Sequence, residues 1–456
     1  MFKIDICGTG GAMPLPNRRL SAFNLSYLGR NILFDCGEAC QISLRELHSG
    51  FKNIDIICIS HKHGDHLFGL PGLLLTMANS NRLSDLLIIA PFNMGDDIRS
   101  LINLCYLPFN IYLLTTRAKS KQKLYFSIDN SGTRLLAISN PPYSSPINSR
   151  PKLNSESSET LHRTINKNLE ELIDDETNNN SEMQNSKRPY IRIEKVYEAK
   201  GPILQGNIAE SLLDTADTID TDDTAETLDS NIASDSSSIS PADNSFCDFT
   251  SYKLLEDDLE IAEWEKNYPY SNKYSRPLAS AEATANLIIS FSLQNHRCPC
   301  LAFRLDFLRR PLFDKDLAAK ANIDKSKWSV LQRGEAVDGI SPSEVMSEPR
   351  PGFTLAYVTD SRPVLSNKSF LKQADLLISE ATFAKDEDLA KAKFHKHMTF
   401  REAAKQAREA EVKQLILTHF SASLKNPDEY IHLAKEEFEN VICASDLDEF
   451  NFKFPG

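Results

Sequence analysis

Ser60–Leu75 reads SHKHGDHLFGLPGLLL, and His61, His63, Asp65 and His66 fall within it in the order His-x-His-x-Asp-His. Just before it, Ile54-Asp55-Ile56-Ile57-Cys58-Ile59 is a short apolar run rich in β-branched residues, the pattern of a buried strand. Just after it, Pro71 can open a helix that continues through Leu73-Leu74-Leu75. The four side chains are therefore expected on a strand-to-helix loop, where a rigid scaffold presents its chemistry. A divalent ion such as Zn²⁺ takes neutral imidazole nitrogens and carboxylate oxygens. Two histidines two positions apart can share one ion, and the adjacent Asp and His can reach a second. Two ions about 3.5–4 Å apart clamp the attacking and leaving oxygens of a phosphodiester. The bland alternative is a polar loop that happens to hold three of the chain's ten histidines.

The chain has 456 residues, enough for two or three average domains or one large one with an insert. It has no run of 18 apolar residues, so no transmembrane helix is expected. Met1-Phe2-Lys3-Ile4-Asp5-Ile6-Cys7 already alternates like a strand, which leaves no room for a signal or transit peptide. The nine cysteines are scattered and odd in number, which suits a reducing compartment, cytoplasm or nucleus. Cys298 and Cys300 flank Pro299 close to His296, a spacing that fits buried thiols better than a zinc knuckle.

Residues 141–285 differ sharply from the rest. They are rich in Ser, Asn, Asp, Glu and Thr, as in Asp174-Asp175-Glu176-Thr177-Asn178-Asn179-Asn180. Residues 150–285 hold 13 Lys and Arg against 28 Asp and Glu, a net of −15, so the remainder carries +3 of the chain's −12. Such a composition buries too little apolar surface to offset its ordering entropy. The reading is a low-complexity acidic insertion, mostly disordered, with a short ordered piece expected over Lys187–Gln205.

HKHGDHLFGLPGLL resembles the metallo-β-lactamase superfamily, and its GLPGLL continuation resembles the tRNase Z family within it. Other segments extend the likeness. Gly8-Thr9-Gly10-Gly11 leads into Pro14–Ser21, where Arg18 matches the family's P-x-K-x-R-N loop while Pro16 and Arg19 depart from it. Phe34-Asp35-Cys36-Gly37-Glu38 resembles FDCGE, with Asp35 expected to orient a metal-binding His. His296-Arg297-Cys298-Pro299 resembles HxVP. Thr359-Asp360-Ser361-Arg362-Pro363 resembles GDTRP, Ser379-Glu380-Ala381-Thr382-Phe383 resembles HEATF with Ser379 for the His, and Leu417-Thr418-His419-Phe420-Ser421 matches LTHFS. The Arg-Tyr of the family beyond that point is Ser423-Leu424. Thr399 with Glu402 forms a capping-box pattern, so a helix is expected from Phe400 to about Ala410. His397 precedes that positive helix end, which is expected to hold it and lower its pKa.

The resemblance spans about 310 residues in two blocks, 1–140 and 286–456. It implies an α/β metallo-β-lactamase αβ/βα sandwich split by the insertion. It implies metal ligation by His61, His63, Asp65, His66, His296, Asp360 and His419, with Asp360 bridging two Zn²⁺ per subunit, or other divalent ions. Asp65 would also act as general base and His397 as proton donor to the leaving 3′-oxygen. Residues 305–350 correspond to the family's tRNA-gripping arm. Lys325 and Lys327 there, with Arg18 and Arg19, are the candidate substrate contacts; an ordinary solvated loop is the competing reading of the arm's lysines. The implied activity is removal of the 3′ trailer from precursor tRNA by a homodimeric endoribonuclease. The alternatives are a nucleotide or small-molecule phosphodiesterase on the same fold, and an RNA-binding protein without turnover.

Overall fold

The computed structural model describes residues 1–118, 122–139, 191–199, 285–309, 311–332, 336–348 and 350–455. Apart from 191–199 and Ala285, the acidic insertion lies outside the described residues, and so does the disorder expected of it. The strands in chain order are β1 (Phe2–Gly8), β2 (Ala22–Tyr27), β3 (Arg30–Phe34), β4 (Ile54–Cys58), β5 (Leu86–Pro91), β6 (Ile111–Thr116), β7 (Lys123–Asp129) and β8 (Gly132–Ser139). They continue as β9 (Ile191–Tyr197), β10 (Leu287–Gln294), β11 (Cys300–Arg309), β12 (Arg350–Val358), β13 (Leu376–Glu380), β14 (Leu415–Thr418), β15 (Val441–Cys443) and β16 (Glu449–Phe452). One eight-stranded sheet has the order β16-β1-β2-β3-β4-β5-β6-β9, and the second has β15-β14-β13-β12-β11-β10-β7-β8.

The residue pattern explains the layering. Along β4, Ile56 and Cys58 join Phe34, Phe126, Phe303 and Ile378 in a core shared by both sheets. Their neighbours Ile54 and Ile57 join a second core on the other face. A strand buried on both faces reads as a continuous apolar run, because period-two alternation needs one wet face. The second core is closed by α1 (Cys40–Glu46), α2 (Gly64–Leu67), α3 (Leu70–Asn79) and α4 (Gly95–Ile102), through Leu44, Leu67, Leu73 and Ile98. On the outer face of the second sheet, Ala356 and Leu377 pack with helical residues Phe400, Ala403, Ala407 and Ala434. The result is the expected α/β metallo-β-lactamase sandwich, helices–sheet–sheet–helices.

Between β11 and β12 the chain leaves the sheet. It forms α5 (Lys315–Lys320) and α6 (Trp328–Gln332), and a Phe313–Met346 bridge closes its base. Ala318, Ile323, Leu331 and Val345 give this excursion a small core of its own, with Phe313 and Trp328 packed against it. Past β13 come α7 (Leu389–His395), α8 (Phe400–Glu409) and α9 (Ile431–Lys435). Helix α8 starts where the capping box places it, Thr399 and Glu402 bonding reciprocally. No helix among the described residues is long and apolar enough to cross a membrane.

Strand β9 comes from within the acidic insertion, inside the Lys187–Gln205 stretch that stood out from its surroundings, and pairs antiparallel with β6. Ile193 joins the inter-sheet core, and Tyr197 packs under α4, where its hydroxyl accepts from the buried Leu107 N–H at 2.8 Å. Tyr197→Phe leaves that N–H without its acceptor, and the expected cost is about 1–2 kcal/mol of unfolding free energy. Tyr197→Ala is expected to cost about 3 kcal/mol or more, since it also opens a cavity. Urea melts of the two variants check this; wild-type midpoints in both would remove β9 from the working fold.

Candidate metal centre

Each proposed ligand sits at or beyond the carboxyl end of a strand. His61, His63, Asp65 and His66 follow β4, His296 follows β10, Asp360 follows β12 and His419 follows β14. Strands β12, β13 and β14 run parallel, and two antiparallel steps give β10 the same direction. Their carboxyl ends therefore open on one edge, the usual place for a site in such sheets.

The side chains converge in two groups. His61 Nε2 lies 3.0 Å from His63 Nδ1, which lies 3.3 Å from His296 Nε2. His66 Nε2 lies 3.1 Å from His419 Nε2, and Asp65 Oδ2 is 3.4 Å from the latter. Asp360 stands between the groups. Its Oδ2 faces His61 at 3.5 Å and His296 at 3.7 Å, while its Oδ1 faces His66 at 3.2 Å and His419 at 3.1 Å. Tetrahedral zinc with bonds of 2.0–2.1 Å has ligand–ligand edges of about 3.3–3.4 Å, so the donors are spaced to hold an ion in each group.

Hydrogen bonds behind the ring decide which nitrogens point inward. The Lys396 carbonyl can only accept, so His296 carries its proton on Nδ1, 3.2 Å from that oxygen, and aims the Nε2 lone pair at the centre. His66 Nδ1 is 2.8 Å from Asp35 Oδ2. Asp35 also accepts from Ser60 Oγ at 2.9 Å and Tyr357 Oη at 2.7 Å, and Ser60 Oγ is 3.0 Å from His61 Nδ1. On the other side, His419 Nδ1 is 3.0 Å from Thr382 Oγ1, which donates to Glu380 Oε2 at 2.7 Å. Two buried carboxylates, Asp35 and Glu380, thus orient three of the candidate ligand rings, a common arrangement around metal sites. Glu380, Thr382 and Tyr357 carried no role in the sequence reading. Glu380 and Thr382 stand inside the recognised Ser379–Phe383 segment, but nothing local distinguishes a strand-end carboxylate from a solvated one.

For three of the rings the protonation state suits ligation. Burial holds His61, His63 and His296 below the ordinary imidazole range, His296 at about 4, so they present lone pairs. Burial opposes ionisation of Asp360, but His419, His66 and His61 outweigh it and hold the carboxyl well below its usual range. Cys298 lies 4.0 Å from the far edge of His63, and burial pushes its thiol up to about 11, so it stays protonated.

His397 lies over the centre, 5.4 Å between ring centroids from His296 and 5.5 Å from His419. Its Nδ1 is 3.2 Å from Glu380 Oε1 and 3.1 Å from Thr382 Oγ1. The helix end was expected to lower its pKa. Burial does act that way, but the Glu380 and Asp360 carboxylates override it and lift His397 to about 9. Arg362 forks onto Glu402 and donates to the His397 carbonyl, tying its loop to the start of α8.

Backbone approach is as close as the side chains. Gly11 lies against the His419 ring, and a Cβ there would meet Cε1 at 2.5 Å. The next amide, Ala12 N–H, donates to Asp65 Oδ2 at 2.6 Å. Asp35 and His419 both adopt left-handed φ, 54° and 59°, the strain that functional sites tend to hold.

The candidate substrate contacts fare differently. Arg18, expected to face phosphate, is 8% exposed and donates to the carbonyls of Ser421, Leu424 and Lys425, bracing the loop after His419. Arg19 forks onto Glu46 at 2.9 and 3.1 Å and is likewise engaged. In both, carbonyl and carboxylate acceptors within the fold engage the guanidinium group. Lys327, half-buried on the excursion, pairs with Asp338 at 2.7 Å, and the exposed Lys325 has its Nζ 6.0 Å from the Trp328 ring.

The chain is similar to several known proteins. The family model described as Anti-Pycsar protein Apyc1 matches residues 2–101. Ribonuclease Z of Clostridium perfringens is 30% identical over 460 residues, covering 99% of this chain and 100% of that protein. Ribonuclease Z of Alkaliphilus oremlandii is 29% identical over 450 residues, covering 98% of this chain and 97% of that one. The crystal structure of human tRNase Z, short form, aligns at a TM-score of 0.46 and 17% identity, over 99% of this chain and 100% of that one. Identity at this level along the full length of both chains places the protein: it belongs to the ribonuclease Z family of endoribonucleases.

Proposed function

We propose that this chain removes the 3′ trailer of precursor tRNA, cutting one phosphodiester bond at a centre of two Zn²⁺ per subunit. The observation that carries the reading is Asp360, whose two oxygens face separate imidazole groups at 3.1–3.7 Å. His61, His63, His296 and Asp360 would hold one ion, and Asp65, His66, His419 and Asp360 the other; the nitrogen-rich donor set favours zinc. Two bound ions would polarise the phosphodiester and activate the attacking water. Asp65 accepts the proton of the attacking water. His397, kept protonated by Glu380, donates to the leaving 3′-oxygen, and Arg362 holds its loop in place. Lys325 and Lys327 meet the tRNA backbone from the excursion. Ile42, Phe68 and Leu75 expose apolar surface on and beside α1–α3, which suits a homodimer contact. The described cysteines are all free thiols, in keeping with work in the cytoplasm or nucleus.

The direct test is incubation of the zinc-loaded protein with a precursor tRNA and mapping of the cut. A single cut leaving a 3′-hydroxyl on the tRNA supports the reading; activity confined to small diesters would end it. His61→Ala and His63→Ala are each expected to lower bound metal and abolish cleavage, because one group then lacks a donor; full metal content by atomic absorption would remove the residue from the ligand set. Asp35→Ala, which frees the His66 ring, is expected to weaken metal affinity about 10- to 100-fold in a chelator competition. His397→Ala is expected to keep both metals and slow single-turnover cleavage about 10²- to 10⁴-fold, the range of a lost general acid.

A further inference from the structure

The rim outside His397 is aromatic. From the His397 ring the centroids step to Phe383 at 6.3 Å, from Phe383 to His395 at 6.4 Å, and from His395 to Phe394 at 5.0 Å. The Arg297 guanidinium lies over the Phe394 ring, 5.3 Å from its centroid, and donates to the Phe394 carbonyl at 3.0 Å. Phe394 is 72% exposed. Helix α7 buries only Ala392, so Phe394 and His395 both stand outside the fold's own packing. The rim is held at its two ends by the site itself, because Arg297 follows His296 and Phe394 lies three residues before His397.

A phenyl ring left in water returns nothing to folding. Its flat face, and the planar guanidinium on it, return energy when a nucleobase covers them. Position selects which base. His397 turns Nδ1 inward to Glu380 and Thr382, so its opposite edge meets the substrate. The ribose that carries the leaving oxygen must lie against that edge, and its base hangs from the same sugar. The aromatic rim starts beside His397, with the Phe383 ring 6.3 Å away.

We infer that Phe394 with Arg297, reached from His397 past Phe383 and His395, forms a stacking platform for the last nucleotide retained on the RNA, the one that carries the leaving 3′-oxygen; the His395 ring stands edge-on to Phe394 at 88° and borders the platform. This rests on the proposed cleavage and on His397 as its proton donor. Stacking reads a flat face and not a hydrogen-bond pattern, so the platform accepts any of the four bases there. It positions the sugar for His397 independently of the metal ligands.

The test is a cycle between protein and substrate. The zinc-loaded enzyme is given a precursor tRNA with its natural residue, or with an abasic residue, at the last retained position. For the wild type, removing the base is expected to lower kcat/KM on the order of tenfold. Phe394→Ala is expected to lose a similar factor on the intact substrate, mainly through KM, and nothing further on the abasic one. Phe394→Trp should restore the loss, and Arg297→Gln should show part of it. Phe394 is exposed, so these changes leave the core packing in place. If the two losses multiply, or if Phe394→Ala cuts the intact substrate like the wild type, the platform is overturned while the cleavage reading stands. Failure of the wild type to cut any precursor tRNA would overturn the cleavage reading itself, and the platform with it.

Discussion

One carboxylate, Asp360, sets the terms for the rest of the molecule. It is 2% exposed and turns each oxygen toward a different group of imidazoles. An ionised carboxylate in such a place is costly unless cations or donors surround it. The two sheets meet that cost by bringing the loops after β4, β10, β12 and β14 to one edge. Some of the departures from easy local structure lie at this group. Asp35 and His419 are bent into left-handed φ, and Gly11 lies bare against an imidazole ring.

Around the ligands the structure invests in orientation. Asp35 draws in His66, Ser60 and Tyr357, and through Ser60 it reaches His61. Glu380 does the same for Thr382, His397 and His419. The two systems are built alike, each a fully buried carboxylate at or just after a strand end, with a hydroxyl passing its charge to a ring. The same Glu380 that reaches the His419 ring through Thr382 also holds His397 charged, so the proposed metal site and the proposed proton donor share one residue.

The parts outside the centre show how position changes a residue's meaning. Arg18 belongs to a motif that invites a phosphate reading, yet its guanidinium is a strut between the first loop and the loop after His419. The strand within the acidic insertion is similar. Its composition is that of a surface excursion, but Ile193 and Tyr197 close the edge of the first sheet.

The amino-acid sequence by itself carried the layer pattern and, through its likeness to a known family, a candidate ligand list. Doubly apolar strands such as Ile54–Cys58 and Leu415–Thr418 have no stable place except between two covered faces. The His-x-His-x-Asp-His loop points to metal chemistry by its donor types and spacing, and His296, Asp360 and His419 joined it through the flanks that resemble the family. The helix start at Phe400 was equally legible, since a capping box is a contact within four residues. What only the tertiary structure decided involves partners far apart in the chain. The pairing of Asp35 with Tyr357 spans 322 residues, and Arg18 reaches carbonyls more than 400 residues away. The direction of the His397 shift belongs to the same class. A helix end nearby lowers such a pKa, but a buried carboxylate at 3.2 Å is closer and carries a full charge, so Glu380 sets the sign.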